Sequence, residues 1–196
     1  MVNKIIITAL QDEAKPIIDF YNLSRDKKQS DLKVYVNNKY SLLITGVGRK
    51  KVIDTLPIYL ERVYNSDSIL INIGIAGGSP YSTEIGKMYF IEKLSSEFSK
   101  SKYFFAIKDG IDIDKIGLIT VKKNIYKNDN NIYKELVDME AAVITETAIK
   151  YFDVSKIKIL KIVSDHMNIT DWSNLNIKKL IRTKLDSISN IIEHFE

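Results

Sequence analysis

Three stretches leave this 196-residue chain little choice of fold. Residues 4–9, Lys4-Ile5-Ile6-Ile7-Thr8-Ala9, are β-branched and apolar without alternation, the pattern of a strand covered on both faces. Residues 68–73 and 157–164 read as further apolar strands of the same kind. Helical patterns lie between them. One spans about Glu13 to Tyr21, with Pro16 near its start, where a missing N–H is harmless. Another follows Gly46-Val47-Gly48 and repeats Val52, Leu56, Leu60 and Val63 at helical spacing; Pro57 should kink it or shift its start. Residues 141–150 form a small-residue helix, and Ile177, Leu180, Ile181, Leu185, Ile188, Ile191 and Ile192 mark one long amphipathic C-terminal helix. Residues 32–36 and 40–45 pair about Asn37-Asn38, and 88–91, 103–107 and 116–121 are further strands. The polar stretch 122–134, with Asn124, Asn128, Asp129, Asn130 and Asn131, reads as a loop. Strands alternating with helices predict an α/β layer fold, and the hairpin-like pairs make its sheet mixed. The length predicts a single domain, 1–196.

Composition narrows the chemistry. Hydrophobic residues make up 45% of the chain, enough for a full core at this size. Lys and Arg number 29 against 25 Asp and Glu, scattered rather than blocked, so nothing demands a nucleic-acid partner. No apolar run approaches the roughly 20 residues of a bilayer crossing. Met1-Val2-Asn3-Lys4 leads into the first strand without a cleavage site, so a cytoplasmic protein with no membrane partner is expected. The chain has no Cys, which removes disulfides, thiolate metal sites and a cysteine nucleophile; with only two His, neither a metal nor another cofactor is expected. The chemistry is left to carboxylates, hydroxyls, lysines and backbone groups.

Three carboxylates stand where such chemistry is done. Asp165 ends the last apolar strand, so its carboxyl projects from a rigid edge toward a cleft; Ser164 or Asp165 capping the following turn is the plainer reading. Glu140 follows Met139 at a helix start, suited either to solvent beside the helix dipole or to two neighbouring hydroxyls. Glu13 reads as a helix N-terminal acid.

Five separated segments carry a resemblance. They are Thr8-Ala9-Leu10-Gln11-Asp12-Glu13-Ala14, Thr45-Gly46-Val47-Gly48, Asn72-Ile73-Gly74-Ile75-Ala76-Gly77-Gly78, Val137-Asp138-Met139-Glu140-Ala141-Ala142 and Val163-Ser164-Asp165-His166. Together and in this order they resemble the purine nucleoside phosphorylases and methylthioadenosine/S-adenosylhomocysteine nucleosidases. The resemblance implies a three-layer fold with a central mixed sheet flanked by helices, a homo-oligomer such as a dimer, and cleavage of a purine nucleoside's N-glycosidic bond. It implies Asp165 as general acid toward the base, Glu13 orienting the attacking water, and Glu140 gripping the ribose hydroxyls with Met139 on the ribose face. Gly48 and the segment Gly74, Ile75, Ala76 and Gly77 are implied in substrate binding, and by position Ile125 and Tyr126 flank the base, with Tyr126 stacking on it. His166 is placed to orient the acid, while His194 faces solvent.

Hydrolysis is favoured because Asp12 and Glu13 would repel a phosphate dianion, and Asn72 stands where bacterial phosphorylases carry a phosphate-binding Arg. The alternatives are a phosphorylase, with phosphate as co-substrate held by Gly46-Val47-Gly48-Arg49 or Lys161, and a nucleoside-binding protein without turnover. The chain departs from the family pattern at Ile75, where a Ser or Thr is usual, and at Lys161, where an Arg is usual. Residues 120–126 also lack the Ser-Gly-Asp-x-Phe pattern that closes over the base.

Overall fold

Ile5, Ile6 and Ile7 are completely buried because strands flank them on both sides and helices cover both faces. The computed structural model describes residues 4–126, 132–169 and 171–195, so Asn128 to Asn131 of the expected loop lie outside the described residues. In chain order the elements are β1 (Lys4–Thr8), α1 (Gln11–Phe20), β2 (Ser24–Arg25), β3 (Lys33–Val36), β4 (Tyr40–Ile44), α2 (Arg49–Val63) and β5 (Ile69–Gly77). There follow β6 (Met88–Ser96), β7 (Tyr103–Phe104), β8 (Lys115–Thr120), β9 (Leu136–Asp138), α3 (Ala141–Ala148), β10 (Ile157–Asp165), α4 (Ile177–Arg182) and α5 (Leu185–Glu193).

The sheet is mixed. β1 lies between β4 and β5, parallel to both, and β5 runs parallel to β10, whereas β3 and β4 form an antiparallel hairpin. The crossovers from β1 to β4 and from β4 to β5 run in opposite directions across the sheet, and right-handed connections therefore put α1 and α2 on opposite faces. α1 packs with α4 and α5, and α2 with α3, completing the layers.

Half of the sheet curls into a closed circuit. β10 pairs antiparallel with β6, β6 parallel with β8, β8 parallel with β9, and β9 returns to β5 through a single pairing, Gly77 with Val137. Asp165 also pairs at Gly77, so the carboxyl-terminal ends of three strands meet at one residue. A Cβ at Gly77 would lie 2.9 Å from Met167, 3.2 Å from Val137 and 3.4 Å from Asp165 Oδ1, which is why the junction needs glycine.

Several expected boundaries shift. The strand predicted to stop at Ile73 continues to Gly77, because β10 pairs with it along the whole glycine-rich stretch. α1 starts at Gln11, two residues early, which leaves Pro16 in mid-helix, and α2 runs through Pro57 from its expected start. The C-terminal helix is two helices. Thr183 turns its hydroxyl back onto the Leu180 carbonyl at 2.8 Å and Lys184 N–H bonds three residues back to Ile181, so the turn tightens and α5 starts separately at Leu185. Only Tyr103 and Phe104 of residues 103–107 pair in the sheet; Phe105 and Ile107 bury into the core instead. Among the described residues no helix is long and apolar enough to cross a membrane.

Candidate active site

Glu13 is the third residue of α1, and its carboxylate turns back to the β1–α1 junction instead of facing solvent. Oε2 accepts the N–H groups of Ala9 at 2.9 Å and Leu10 at 2.8 Å, and Oε1 accepts the N–H of Ile75 in β5 at 2.9 Å. The space for it comes from Gly74, where a Cβ would stand 2.8 Å from Oε1 and 3.4 Å from Lys161 Nζ.

Lys161 lies beside Gly74 in the parallel β5–β10 pair. Its ammonium is 2.9 Å from Asp138 Oδ2, and both side chains are sealed from solvent, at 3% and 2% exposure. Asp138 ties three elements together: Oδ1 accepts the Thr120 hydroxyl at 2.7 Å, and Oδ2 also accepts the N–H of Ala141 at 2.9 Å. The same Thr120 hydroxyl oxygen accepts the N–H of Ala142, so β8, β9 and α3 are held in one register.

Glu140 precedes α3, and its Oε1 accepts the N–H of Gly48 at 2.7 Å. Gly46 and Gly48 have φ of +87° and +86°, so the turn that aims this N–H requires glycine at both positions. One ammonium thus serves three carboxyls. Burial works against the charge of Lys161, yet Asp138, Glu13 and Glu140 together hold its pKa above the ordinary value. Burial, reinforced by the charge of Asp138, pushes the Glu140 carboxyl up to about 8. Burial pushes Glu13 up as well, against Lys161 and its three main-chain donors.

Asp165 is fixed at both oxygens. Oδ1 accepts the N–H of Met167 at 2.6 Å, and Oδ2 is 2.6 Å from the Ser164 hydroxyl. Met167 has φ +58°, a left-handed conformation unusual for a long side chain, and it is this turn that brings its N–H back onto Asp165. Met167 is buried with Val121 and Val137, and Ile125 and Met139 pack against them.

These groups face one cavity of about 310 Å³. Of the residues singled out by sequence, Glu13, Ile75, Ala76, Gly77, Ile125, Met139, Glu140 and Asp165 line it. Gly48, Gly74 and Tyr126 do not. Gly48 holds Glu140, Gly74 makes room for Glu13, and Tyr126 is 54% exposed outside the wall, so it is not placed to stack on a ligand. His166 makes no side-chain hydrogen bond to Asp165, and its Nε2 is buried without a partner among the described residues; Ser164 and Met167 hold the Asp165 carboxyl instead. His194 is exposed, as expected, with Nδ1 2.6 Å from the Asn190 carbonyl. Val47, Val121, Asn124 and Ile177, to which sequence reasoning gave no site role of their own, also line it, together with Ala9, Leu10, Val137, Asp138, Ser164 and Met167. The importance of the Asp138–Lys161 pair had a signal, since a lysine inside a strand buried on both faces demands a counter-charge.

Neither cation of the phosphorylase alternative lines the cavity. Lys161 is committed to Asp138, and the Arg49 guanidinium lies 5.3 Å over the Phe98 ring, outside the cavity lining.

Gly74→Ala is expected to leave the fold intact and, on the catalytic reading proposed below, to lower turnover, because a methyl 2.8 Å from Oε1 must displace that oxygen from the Ile75 N–H. Unchanged turnover in a folded Gly74→Ala protein, measured by steady-state kinetics beside a melting curve, would contradict the importance of Glu13's position.

Solved structures share this architecture. A 5′-methylthioadenosine nucleosidase from Arabidopsis thaliana aligns with TM-score 0.84 over 100% of this chain and 96% of that one, at 14% identity. The MTAN of Chlamydia trachomatis aligns with TM-score 0.79 over 100% of both chains at 20% identity. A 5′-methylthioadenosine/S-adenosylhomocysteine nucleosidase from Helicobacter pylori aligns with TM-score 0.75 over 98% of this chain and 99% of that one, at 13% identity. No protein-family model and no curated protein matches the chain in sequence. At such identities the likeness fixes the architecture: the chain has the α/β fold of the methylthioadenosine nucleosidases over its whole length.

Proposed function

We propose that the chain is a hydrolytic nucleosidase that cleaves the N-glycosidic bond of an adenosyl-type purine nucleoside. One observation carries the reading: among the four carboxyl residues that line a single cavity, Asp165 is fixed by Ser164 and Met167, and Glu13 by three main-chain N–H groups. Breaking the C1′–N bond leaves an electron-poor ribose and an electron-rich base, so a proton donor is needed at the base and a water at C1′. Asp165 gives the proton. A carboxylate has about four lone-pair sites, and three of Glu13's are taken by N–H donors, which leaves one on Oε1 for a water. Glu13 therefore orients the water through that free site and accepts its proton as the oxygen bonds to C1′. The two groups are anchored at Ile75 and Gly77, two residues apart on β5, a backbone spacing of about 7 Å.

Glu140 and Met139 hold the ribose in this reading, and Val121, Ile125 and Met167 enclose the base. The Chlamydia trachomatis MTAN has been solved with MTA and with adenine, and the Helicobacter pylori nucleosidase with butyl-thio-DADMe-Immucillin-A. In this chain Leu10, Val47 and Ile177 add apolar surface to the same cavity, suited to an alkylthio group. The reaction needs no cofactor and no phosphate. A chain without Cys fits work in the cytoplasm. Residues 120–126 lack the pattern that closes over the base, so a homodimer whose partner completes the pocket belongs to the reading. Light scattering should show a dimer, and a monomer that turns over at full rate would remove that part.

The test is a panel of purine nucleosides with varied 5′ substituents, followed by chromatography of the free base in phosphate-free buffer. Release of adenine from 5′-alkylthio nucleosides is expected. Tight binding without release across the panel would favour the binding-protein alternative.

Glu140 makes the reaction pH-dependent. Gripping two ribose hydroxyls needs the carboxylate, and in the free site its carboxyl is pushed up to about 8. The value of kcat/KM is therefore expected to rise with pH through about 8. Glu140→Gln should lower kcat/KM and flatten that rise; a rise that persists in Glu140→Gln assigns it elsewhere. Stability moves the other way. Between the ordinary 4.5 and about 8 the folded chain keeps a proton that the unfolded chain has lost, so this group destabilises the fold as pH rises through that window.

A further inference from the structure

We propose that Glu97, which lies outside the cavity, is a positioning residue that holds the base-facing wall in place before a purine arrives. That wall is built from the residues that follow β8. Val121 is buried with Val137 and Met167, Ile125 and the Tyr133 ring pack against them, and Val121, Asn124 and Ile125 line the cavity. One carboxylate ties this wall at two places. Glu97 Oε2 accepts the N–H of Lys122, directly after Val121, at 2.9 Å, and Oε1 accepts the Tyr133 hydroxyl at 2.7 Å. A carboxylate has an acceptor oxygen for each donor, and its charge strengthens both bonds.

Glu97 can brace the wall because the turn that carries it is itself fixed. The Glu97 N–H bonds the Thr120 carbonyl at 3.0 Å, and the Phe98 N–H bonds the Ser96 hydroxyl oxygen at 3.0 Å. The Ser99 hydroxyl is 2.9 Å from Glu146 of α3, the helix that Glu140 precedes. The Phe98 ring lies under the guanidinium of Arg49, the residue after the Gly48 whose N–H holds Glu140. Three consecutive residues after β6 thus connect the frame of the Glu140 side to the wall formed by Val121 and Ile125. Neither Glu97 nor Tyr133 is among the residues lining the cavity, so what they contribute is order. A wall already held needs no further ordering when ligand binds, whereas a loose wall must be ordered then, and affinity falls. Glu97 is exposed, so its loss should change stability little. That this wall faces the base rests on the nucleosidase reading; the brace itself is read in binding alone.

The experiment uses the full chain with Glu97→Ala, Glu97→Gln, Tyr133→Phe and the double change Glu97→Ala with Tyr133→Phe. Each is measured for adenine binding by calorimetry, for KM and kcat with methylthioadenosine, and for melting temperature. Glu97→Ala and Tyr133→Phe should weaken adenine binding and raise KM by a common factor of about three- to tenfold, the worth of a hydrogen bond. The value of kcat and the melting temperature should stay close to native. Glu97→Gln should recover most of the affinity, because its amide oxygen can take the Lys122 N–H while its NH₂ donates to the Tyr133 oxygen. The double variant should be no worse than Glu97→Ala, since both changes cut the same brace. Native adenine affinity and KM in a folded Glu97→Ala, or a fall in kcat at constant KM, would overturn the proposal, as would strictly additive losses in the double variant. Weakened adenine binding in the variants, with no base release even by the native chain, keeps the brace and sinks the nucleosidase reading. If Glu97→Ala does not fold, Tyr133→Phe, which keeps the packed ring and removes only the hydroxyl, is read in the same way.

Discussion

Asp165→Asn is expected to bind nucleoside nearly as well as the native chain and to release base about 10²- to 10⁴-fold more slowly. The amide keeps the size of the carboxyl and still offers an oxygen to the N–H of Met167, so the pocket changes little; what disappears is the proton for the departing base. Glu13→Gln should cost a similar factor for a different reason. Its amide keeps one acceptor oxygen but turns an NH₂ toward donors that need an acceptor, so the group that faces water is lost or rotated. Asp12 does not take over, because it is paired with Lys178 at 3.2 Å and does not line the cavity. Equilibrium binding beside single-turnover kinetics separates these losses. Full base release by Asp165→Asn would remove it as the acid.

The second large effect is on stability. Lys161→Met removes the only cation in contact with Asp138 among the described residues and leaves buried acidic groups around an apolar side chain. Removing one partner of a buried pair costs about 3 to 5 kcal/mol. In a chain of this length that lowers the melting temperature by roughly 6 to 20 °C. Adding Asp138→Asn to Lys161→Met should restore part of the loss, since the second change removes the stranded charge. Strictly additive losses in that double-mutant cycle would mean that the two side chains do not act as a pair.

The strands were legible in the sequence because a run such as Ile5-Ile6-Ile7 has nowhere to go but the middle of a covered sheet. The closed circuit was not, because its closure depends on one pairing, Gly77 with Val137, which leaves no periodicity to read. The break between α4 and α5 was hidden as well, since the apolar spacing continues across Thr183 and Lys184 while local hydrogen bonds turn the chain. At the site, Asp165 and Glu13 were found through motifs, but the groups that hold Glu13 are backbone N–H donors, which every sequence supplies and none advertises. Val47 and Ile177 are ordinary apolar residues that only the folding of distant segments brings to one wall. Tyr126 shows the converse: a residue type suited to stacking, in the expected segment, lies on the surface.

The proposed reaction turns on water, held at Glu13, attacking C1′. The most direct measurement is the sugar product from methylthioadenosine as inorganic phosphate is titrated from zero. The native chain should release adenine at the same rate throughout and yield the free 5′-methylthioribose at every phosphate concentration. Base release that requires phosphate, with the sugar recovered as its 1-phosphate, would contradict it.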